Sequence, residues 1–219
     1  MKQSVNVKKL SMTAVLAALA FASVALCRIP VVMFLSYEPK DILVTLGGLI
    51  FGPMTSLVVS VIVSFIEMVT ISTTGWIGLV MNILSTCSFA CLAALIYRKK
   101  RTLSGAVLGL VSGCLLMTAV MLLWNFLITP IYMGYPRDAV AEMLLPVFLP
   151  FNLIKGGINA VLTLLLYQPL VTALRKARLV APSTVQNPPA KKVSAGVVIA
   201  CLIALATLIL FALVLSGHL

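Results

Sequence analysis

The sequence contains few charged residues. Asp, Glu, Lys and Arg make up 10% of its 219 residues, against about 25% in a typical soluble domain. Hydrophobic residues make up 62%, and the mean hydropathy is +1.17. A chain this apolar has too little polar surface to cover a soluble globule. The composition therefore excludes a soluble enzyme, a disordered chain and a collagen-like fibre, and it predicts a polytopic membrane protein.

Residues typical of catalytic and metal sites are also scarce. The one histidine is His218, and the chain has no HExxH, C-x-x-C or Walker A motif. Its five acidic residues are scattered, and its five cysteines lie within or at the ends of apolar runs. We therefore expect no enzyme activity, no metal site and no cofactor. Because the chain lacks an ATP-binding motif, a transport function would take its energy from another protein.

Seven apolar segments, separated by prolines, glycines and basic clusters, predict an all-α membrane protein. We interpret the first as a retained span rather than a signal peptide, and the second is too short to cross the membrane at right angles. An irregular segment (31–39) precedes the second, and a polar loop (132–142) precedes the sixth. The segments are 10–27, 41–51, 54–71, 76–97, 103–128, 150–174 and 193–215.

The excess of basic residues predicts the topology. The net charge is +11, from 16 basic and 5 acidic residues. If the N-terminus is cytoplasmic and all seven segments cross, 12 basic residues lie inside and 4 outside, as the positive-inside rule requires. The C-terminus is then outside, and the charge needs no nucleic-acid partner. The outside set is Arg28, Lys40, Arg137 and Lys155; the inside set is Lys2, Lys8, Lys9, Arg98, Lys99, Lys100, Arg101, Arg175, Lys176, Arg178, Lys191 and Lys192.

A few polar residues in the apolar segments are candidates for a binding site, because such groups are rare and costly at membrane depth. Asn152 and Lys155 are three residues apart and share a helix face. With Asn125, Asp41 and, slightly deeper, Asn82, they are expected near the outer face. We predict that they converge on an outward-open cavity for a neutral or weakly charged organic ligand with several hydrogen-bonding edges.

These polar residues also have a purely structural interpretation. Lys155 would then extend to the membrane interface, and the asparagines would link helices. For Glu67, deep in the third segment, we favour the structural role of a helix-packing or neutral, hydrogen-bonded carboxyl.

The first segment carries a stripe of small residues. Ala14, Ala18, Ala22 and Ala25 recur at helical spacing, a pattern that lets another helix approach closely. The stripe predicts either internal packing or a docking face for a partner membrane subunit.

Three stretches carry a resemblance to a known family. The first reads LSYEPKDI at 35–42 and GGLIFGP at 47–53; the second reads WNF at 124–126 and TPIY at 129–132. The third, and most specific, reads PFNLIKG at 150–156. Over roughly residues 8–177, in order and with matching spacings, the chain resembles the riboflavin-binding S component of energy-coupling factor (ECF) transporters.

This resemblance implies a six-helix S component in the cell membrane that binds a vitamin near the outer face. Such a protein joins a transmembrane T subunit and two ABC-type ATPases, and ATP hydrolysis topples it to release the vitamin inside. The resemblance implies that Asn125, Asn152 and Lys155 contact the flavin ring, with Asp41 and Asn82 beside the pocket. It also implies that the alanine stripe (Ala14, Ala18, Ala22) docks on the T subunit.

The chain departs from the family pattern in two places. After a six-helix domain (1–177), a basic, proline-containing linker (178–192) and a further transmembrane helix with a short tail (193–219) follow. Glu38 and Lys40 also add charge next to Asp41. These departures leave two alternatives: an S component for another vitamin, such as pantothenate, thiamin or folate, or a membrane scaffold or assembly protein without a transported ligand.

Overall fold

The protein is helical over most of the residues that the computed structural model describes, which are 7–32, 35–180 and 195–215. A short hairpin, β1 (Ile29–Val32) and β2 (Leu35–Tyr37), follows the first helix. A π-helical turn (Leu144–Phe148) joins the sixth and seventh helices. The helices are α1 (Val7–Leu26), α2 (Lys40–Phe51), α3 (Pro53–Thr70), α4 (Gly75–Lys99), α5 (Leu103–Met133), α6 (Arg137–Met143), α7 (Leu149–Lys176) and α8 (Ala195–Leu215).

Five stretches of the described chain are long and apolar enough to cross a membrane, which confirms the predicted polytopic, all-α class. Helix α2 is not one of them, since its 12 residues span about 18 Å and the hydrocarbon core is about 30 Å thick. Its crossing, and the assignment of basic residues to two sides, stay predictions. The five stretches are Val7–Leu26, Pro53–Thr70, Gly75–Lys99, Leu103–Met133 and Arg137–Lys176.

The predicted seventh apolar segment forms helix α8, which packs against α7. A Cβ atom added at Gly157 of α7 would lie 2.9 Å from Cδ1 of Leu208 in α8. The shorter apolar helix recorded there is Cys201–Leu210, so a full crossing by α8 stays a prediction. Most of the predicted linker, 181–192, lies outside the described residues, as do residues 1–6 and 216–219.

The structure corrects three local predictions. The segment predicted to be irregular (31–39) contains paired strands, because β1 and β2 pair antiparallel with Ile29 opposite Tyr37, and β-branched and aromatic residues favour this pairing. Helix α5 does not end at 128 but continues through Pro130 to Met133, since a membrane helix tolerates a proline whose freed carbonyl is satisfied by its surroundings. The loop 132–142 contains helix α6, with Asp138 in its first turn, where a carboxylate is favourable.

Glycines fix two of the helix arrangements that build the bundle. At Gly109 and Gly113 of α5, an added Cβ would lie 2.7 Å from the Ala93 carbonyl oxygen and 2.5 Å from that of Phe89. Helices α4 and α5 can therefore approach this closely only without a side chain there. Gly52, with φ of 102°, makes the sharp turn from α2 into α3.

The hairpin is held against the start of α7 by apolar contacts. Leu35 of β2 is buried in a cluster with Val140, Phe148 and Phe151. This packing places the residues that follow the hairpin, Glu38 and the N-terminus of α2, beside the helices that carry the polar candidates.

Candidate functional site

A cavity lies among α3, α4, α5, α7 and the hairpin. One part of its wall is apolar and aromatic and comes from α4, α5 and α7: Ile77, Met81, Met121, Trp124, Ile128 and Phe151. The wall also contains Leu35 and Ile71, and its polar residues come from the hairpin, α3, the turn before α4 and the long helices: Arg28, Ser36, Glu38, Glu67, Ser72, Thr74, Asn82, Asn125, Asn152 and Lys155. The structure therefore brings four of the predicted binding residues, Asn82, Asn125, Asn152 and Lys155, to one cavity.

Both of the deeply buried asparagines on the cavity wall are anchored to their own helices. The Nδ2 of Asn125 donates to the carbonyl oxygen of Met121 (2.7 Å), and its Oδ1 accepts from the hydroxyl of Thr129 (3.0 Å). The Nδ2 of Asn152 donates to the carbonyl oxygen of Phe148 (2.7 Å). Since an amide carries two N–H donors, one backbone bond fixes each side chain and leaves a donor for a molecule in the cavity.

Lys155 lines the cavity and also forms a buried ion pair with Asp41. Its Nζ lies 3.2 Å from Oδ2 of Asp41, which is fully buried and also accepts from Thr86 (2.6 Å) and Asn159 (3.3 Å). Asp41 does not line the cavity. The geometry therefore gives Asp41 the task of holding Lys155, whose ammonium has three donors and keeps some of them for a ligand.

A tyrosine of the hairpin extends this network. The hydroxyl of Tyr37 donates to Oδ1 of Asn159 (3.0 Å), whose Nδ2 donates to Asp41. Burial and the nearby Asp41 carboxylate raise the pKa of Tyr37 above its usual value, so the hydroxyl stays protonated and acts as a donor. Strand β2 is thereby tied to α7 and α2 directly behind Lys155.

A second charged network, which the sequence did not reveal, borders the first. Lys40, only 1% exposed, pairs with Oε2 of Glu38 (2.8 Å) and with Oε2 of Glu67 (2.5 Å). Arg28 pairs with Glu38 (3.4 Å), and Asn82 donates to Oε2 of Glu67 (3.0 Å). The sequence did contain a signal for this network, namely the charged residues within apolar segments. A buried ammonium requires carboxylate partners, so Lys40 implied a contact with nearby carboxylates.

The Glu38 carboxyl lies just before α2 and interacts electrostatically with both networks. Burial alone would raise its pKa, but the ammonium groups of Lys40 and Lys155 outweigh that effect and hold the pKa of Glu38 below its usual value. Glu38 is therefore ionised at neutral pH. The polar part of the cavity contains fixed charges of both signs.

The alanine stripe of α1 faces away from the bundle. Ala14 and Ala18 are exposed and Ala22 is half-buried, whereas Ala17 and Ala20 on the neighbouring face are buried against the core. The stripe is thus available to a partner, and its docking role stays a prediction. Within the described part of the chain, no cluster of three or more His, Cys, Asp or Glu side chains has metal-site geometry.

Comparisons with known proteins point to one family. The family model described as "ECF transporter, substrate-specific component" matches residues 8–167. The riboflavin transporter RibU of Staphylococcus aureus is 27% identical over 178 residues, covering 77% of this chain and 93% of the relative. RibU of Streptococcus thermophilus is 27% identical, covering 78% and 86% of the two chains. The riboflavin transporter FmnP of Bacillus subtilis is 25% identical, covering 79% and 97%.

The fold comparison agrees with the sequence comparisons. A solved structure of the S component of a bacterial ECF transporter superposes with a TM-score of 0.65 at 26% sequence identity. The superposition covers 77% of this chain and 98% of the solved one.

Proposed function

The chain belongs to the family of ECF transporter substrate-specific components, and from this premise we propose that it binds riboflavin in the cavity among α3, α4, α5 and α7. As a member of that family it is a multi-pass membrane protein with a role in vitamin transport, and it is not an enzyme. The choice of riboflavin is supported by three relatives that are riboflavin transporters.

The observation that carries the proposal is the chemistry of the cavity wall. A flavin ring is a large flat apolar surface edged with carbonyl oxygens and ring nitrogens. Trp124, Phe151 and the methionines of α4 and α5 offer an apolar slot for its faces, and Asn125, Asn152 and Lys155 offer hydrogen bonds to its edges. No proton transfer is needed, because amide and ammonium donors bind these edges without changing them.

Each remaining candidate residue has a defined place in this proposal. Asp41 holds Lys155 through the 3.2 Å ion pair. Asn82 lines the cavity and is fixed by its bond to Glu67. Both therefore act by shaping the site, and Asn82 is also within reach of the ligand.

Uptake requires partners that supply energy. We propose that the exposed stripe Ala14, Ala18 and Ala22 docks on a transmembrane T subunit, which joins two ABC-type ATPases. The N-terminus is then cytoplasmic, the cavity faces outward, and ATP hydrolysis by the partners drives release of the vitamin inside. The six-helix domain 1–177 performs the binding, and α8 is an added element that packs against α7.

Substitution of Asn152 tests the assignment of the site. We expect Asn152→Ala to weaken riboflavin binding about tenfold, the loss of roughly one buried hydrogen bond, as measured by quenching of flavin fluorescence on purified protein. Lys176→Ala, on the exposed end of the same helix, is the matched control and should bind as the unaltered chain does. If Asn152→Ala binds riboflavin with unchanged affinity, the site assignment is wrong.

A further inference from the structure

Glu67 lines the binding cavity and carries one carboxylate oxygen with no hydrogen-bond partner among the described residues. The residue is 3% exposed and lines the cavity wall. Its Oε2 accepts from Lys40 and Asn82, whereas its Oε1 is buried with no hydrogen-bond partner among the described residues. A buried carboxylate oxygen without a donor is costly. The position therefore calls for a donor from whatever occupies the cavity.

The surroundings of Glu67 indicate which part of a ligand would reach it. Polar groups of the hairpin and of the turn before α4, among them Ser36, Ser72 and Thr74, line the same cavity as Glu67, together with the apolar Leu35 and Ile71. The apolar slot lies on α4, α5 and α7, with Met121 and Trp124. A flavin with its ring in that slot would extend its flexible hydroxylated chain toward Glu67.

In the polar part of the cavity, each basic side chain is already paired with a carboxylate. Of the two basic side chains on the described cavity wall, Arg28 pairs with Glu38 and Lys155 pairs with Asp41. Lys40, behind the wall, is shared by Glu38 and Glu67. A phosphate monoester brings a charge of about −1.5 to −2 at neutral pH. Beside the Glu38 and Glu67 carboxylates, and with the charge of each cation on this wall already balanced by a carboxylate, such a group would be repelled.

We propose that Glu67 is a specificity-determining residue: its Oε1 accepts a hydrogen bond from a hydroxyl of the flavin side chain, and its charge disfavours a phosphate ester there. This inference rests on the proposed function, because it takes the site to bind a flavin. It makes the uncharged vitamin the preferred ligand and flavin mononucleotide a weaker one.

The test measures three ligands against Glu67→Gln. Riboflavin carries the hydroxylated chain, lumiflavin replaces it with a methyl group, and flavin mononucleotide adds a phosphate. We expect the substitution to lower the affinity for riboflavin about tenfold, because a hydrogen bond to a charged acceptor is stronger than one to a neutral amide. The affinity for lumiflavin, which lacks the hydroxyls, should stay unchanged. The preference for riboflavin over flavin mononucleotide should also fall about tenfold. Glu142→Gln, at an exposed site away from the cavity, should change none of the three.

A second variant separates the two roles of Glu67. Glu67→Asp keeps the charge, but its shorter side chain moves the carboxylate oxygen away from the ligand. The affinity for riboflavin should therefore fall relative to that for lumiflavin, while flavin mononucleotide still binds more weakly than riboflavin. Equal weakening of riboflavin and lumiflavin in both variants would overturn the inference, because it would show a structural role only. An unchanged preference between riboflavin and flavin mononucleotide in Glu67→Gln would overturn it as well. If the unaltered chain binds none of the three flavins, the proposed function itself fails.

Discussion

Among single residues, the binding site depends on charges that are buried in pairs. Asp41 is fully buried and Lys155 nearly so, and their contact joins the start of α2 to α7. Such a pair adds little net stability over apolar packing, but removal of one partner leaves an uncompensated charge. The pair is therefore best understood as a way to hold one ammonium group at a defined place on the cavity wall.

Asp41→Asn should expose this role. We expect the free energy of unfolding to fall by about 3 kcal/mol, since Lys155 loses its buried counter-charge, and riboflavin affinity to fall because the ammonium is no longer held. Thermal unfolding in detergent and fluorescence titration measure the two effects. Asp138→Asn, on the exposed face of α6, makes the same chemical change without either effect. Wild-type stability and affinity in Asp41→Asn would contradict the assigned role.

The individual site residues were predictable to different degrees. Asn125, Asn152 and Lys155 stand out in the sequence because polar groups are rare within apolar segments. The contact of Lys40 with Glu67 joins residues 27 positions apart and depends on how α2 packs against α3. A pattern along one segment carries no information on that packing, so Glu67 was expected to be a neutral or packing carboxyl and its ion pair was missed.

At the scale of secondary structure, length and hydropathy located the long helices but not the short elements. The hairpin, α6 and the end of α5 were missed because tertiary contacts decide them. Leu35, for example, is buried against Val140 and Phe148, an interaction between distant parts of the chain. Two of them, the hairpin and the end of α5, contribute Leu35, Ser36, Thr129 and Tyr132 to the cavity wall, so their omission also hid part of the site.

Helix α1 offers a test at this scale. Ala18 is exposed while Ala17 and Ala20 pack inward, so Ala18→Trp should leave the bundle intact. We expect this variant to bind riboflavin normally but to lose uptake in cells that supply the partner subunits, because the bulky ring keeps another helix at a distance.

The control for that experiment is Leu19→Trp, which places the same ring at a neighbouring exposed position (52% exposed) off the stripe. It should retain uptake. Undiminished uptake by Ala18→Trp would count against the stripe as a docking face.

For the molecule as a whole, we expect binding to be separable from the added C-terminal helix. The family match ends at residue 167, and the cavity is lined by residues from Arg28 to Lys155. Helix α8 contacts α7 at Gly157, beyond the last lining residue, and it also contacts strand β1. The sequence indicated this division through the change in composition after residue 177, but it gave no contact between α8 and the bundle.

A chain that ends at residue 180 tests the division. Because α8 contributes no described residue to the cavity wall, we expect the shortened chain to bind riboflavin with the affinity of the full chain. Its helical content and unfolding temperature, measured by circular dichroism, establish that it is folded. A folded but non-binding chain would show that α8 is part of the binding unit.

Recognition of a flavin by this S component can be tested with one titration. The purified full chain is titrated with riboflavin and, separately, with pantothenate, thiamin and folate. We expect a yellow preparation or, after removal of bound ligand, saturable quenching of riboflavin fluorescence at one flavin per chain, with no competition from the other three. A colourless protein that leaves riboflavin fluorescence unchanged, or that binds one of the other vitamins in preference, would contradict it.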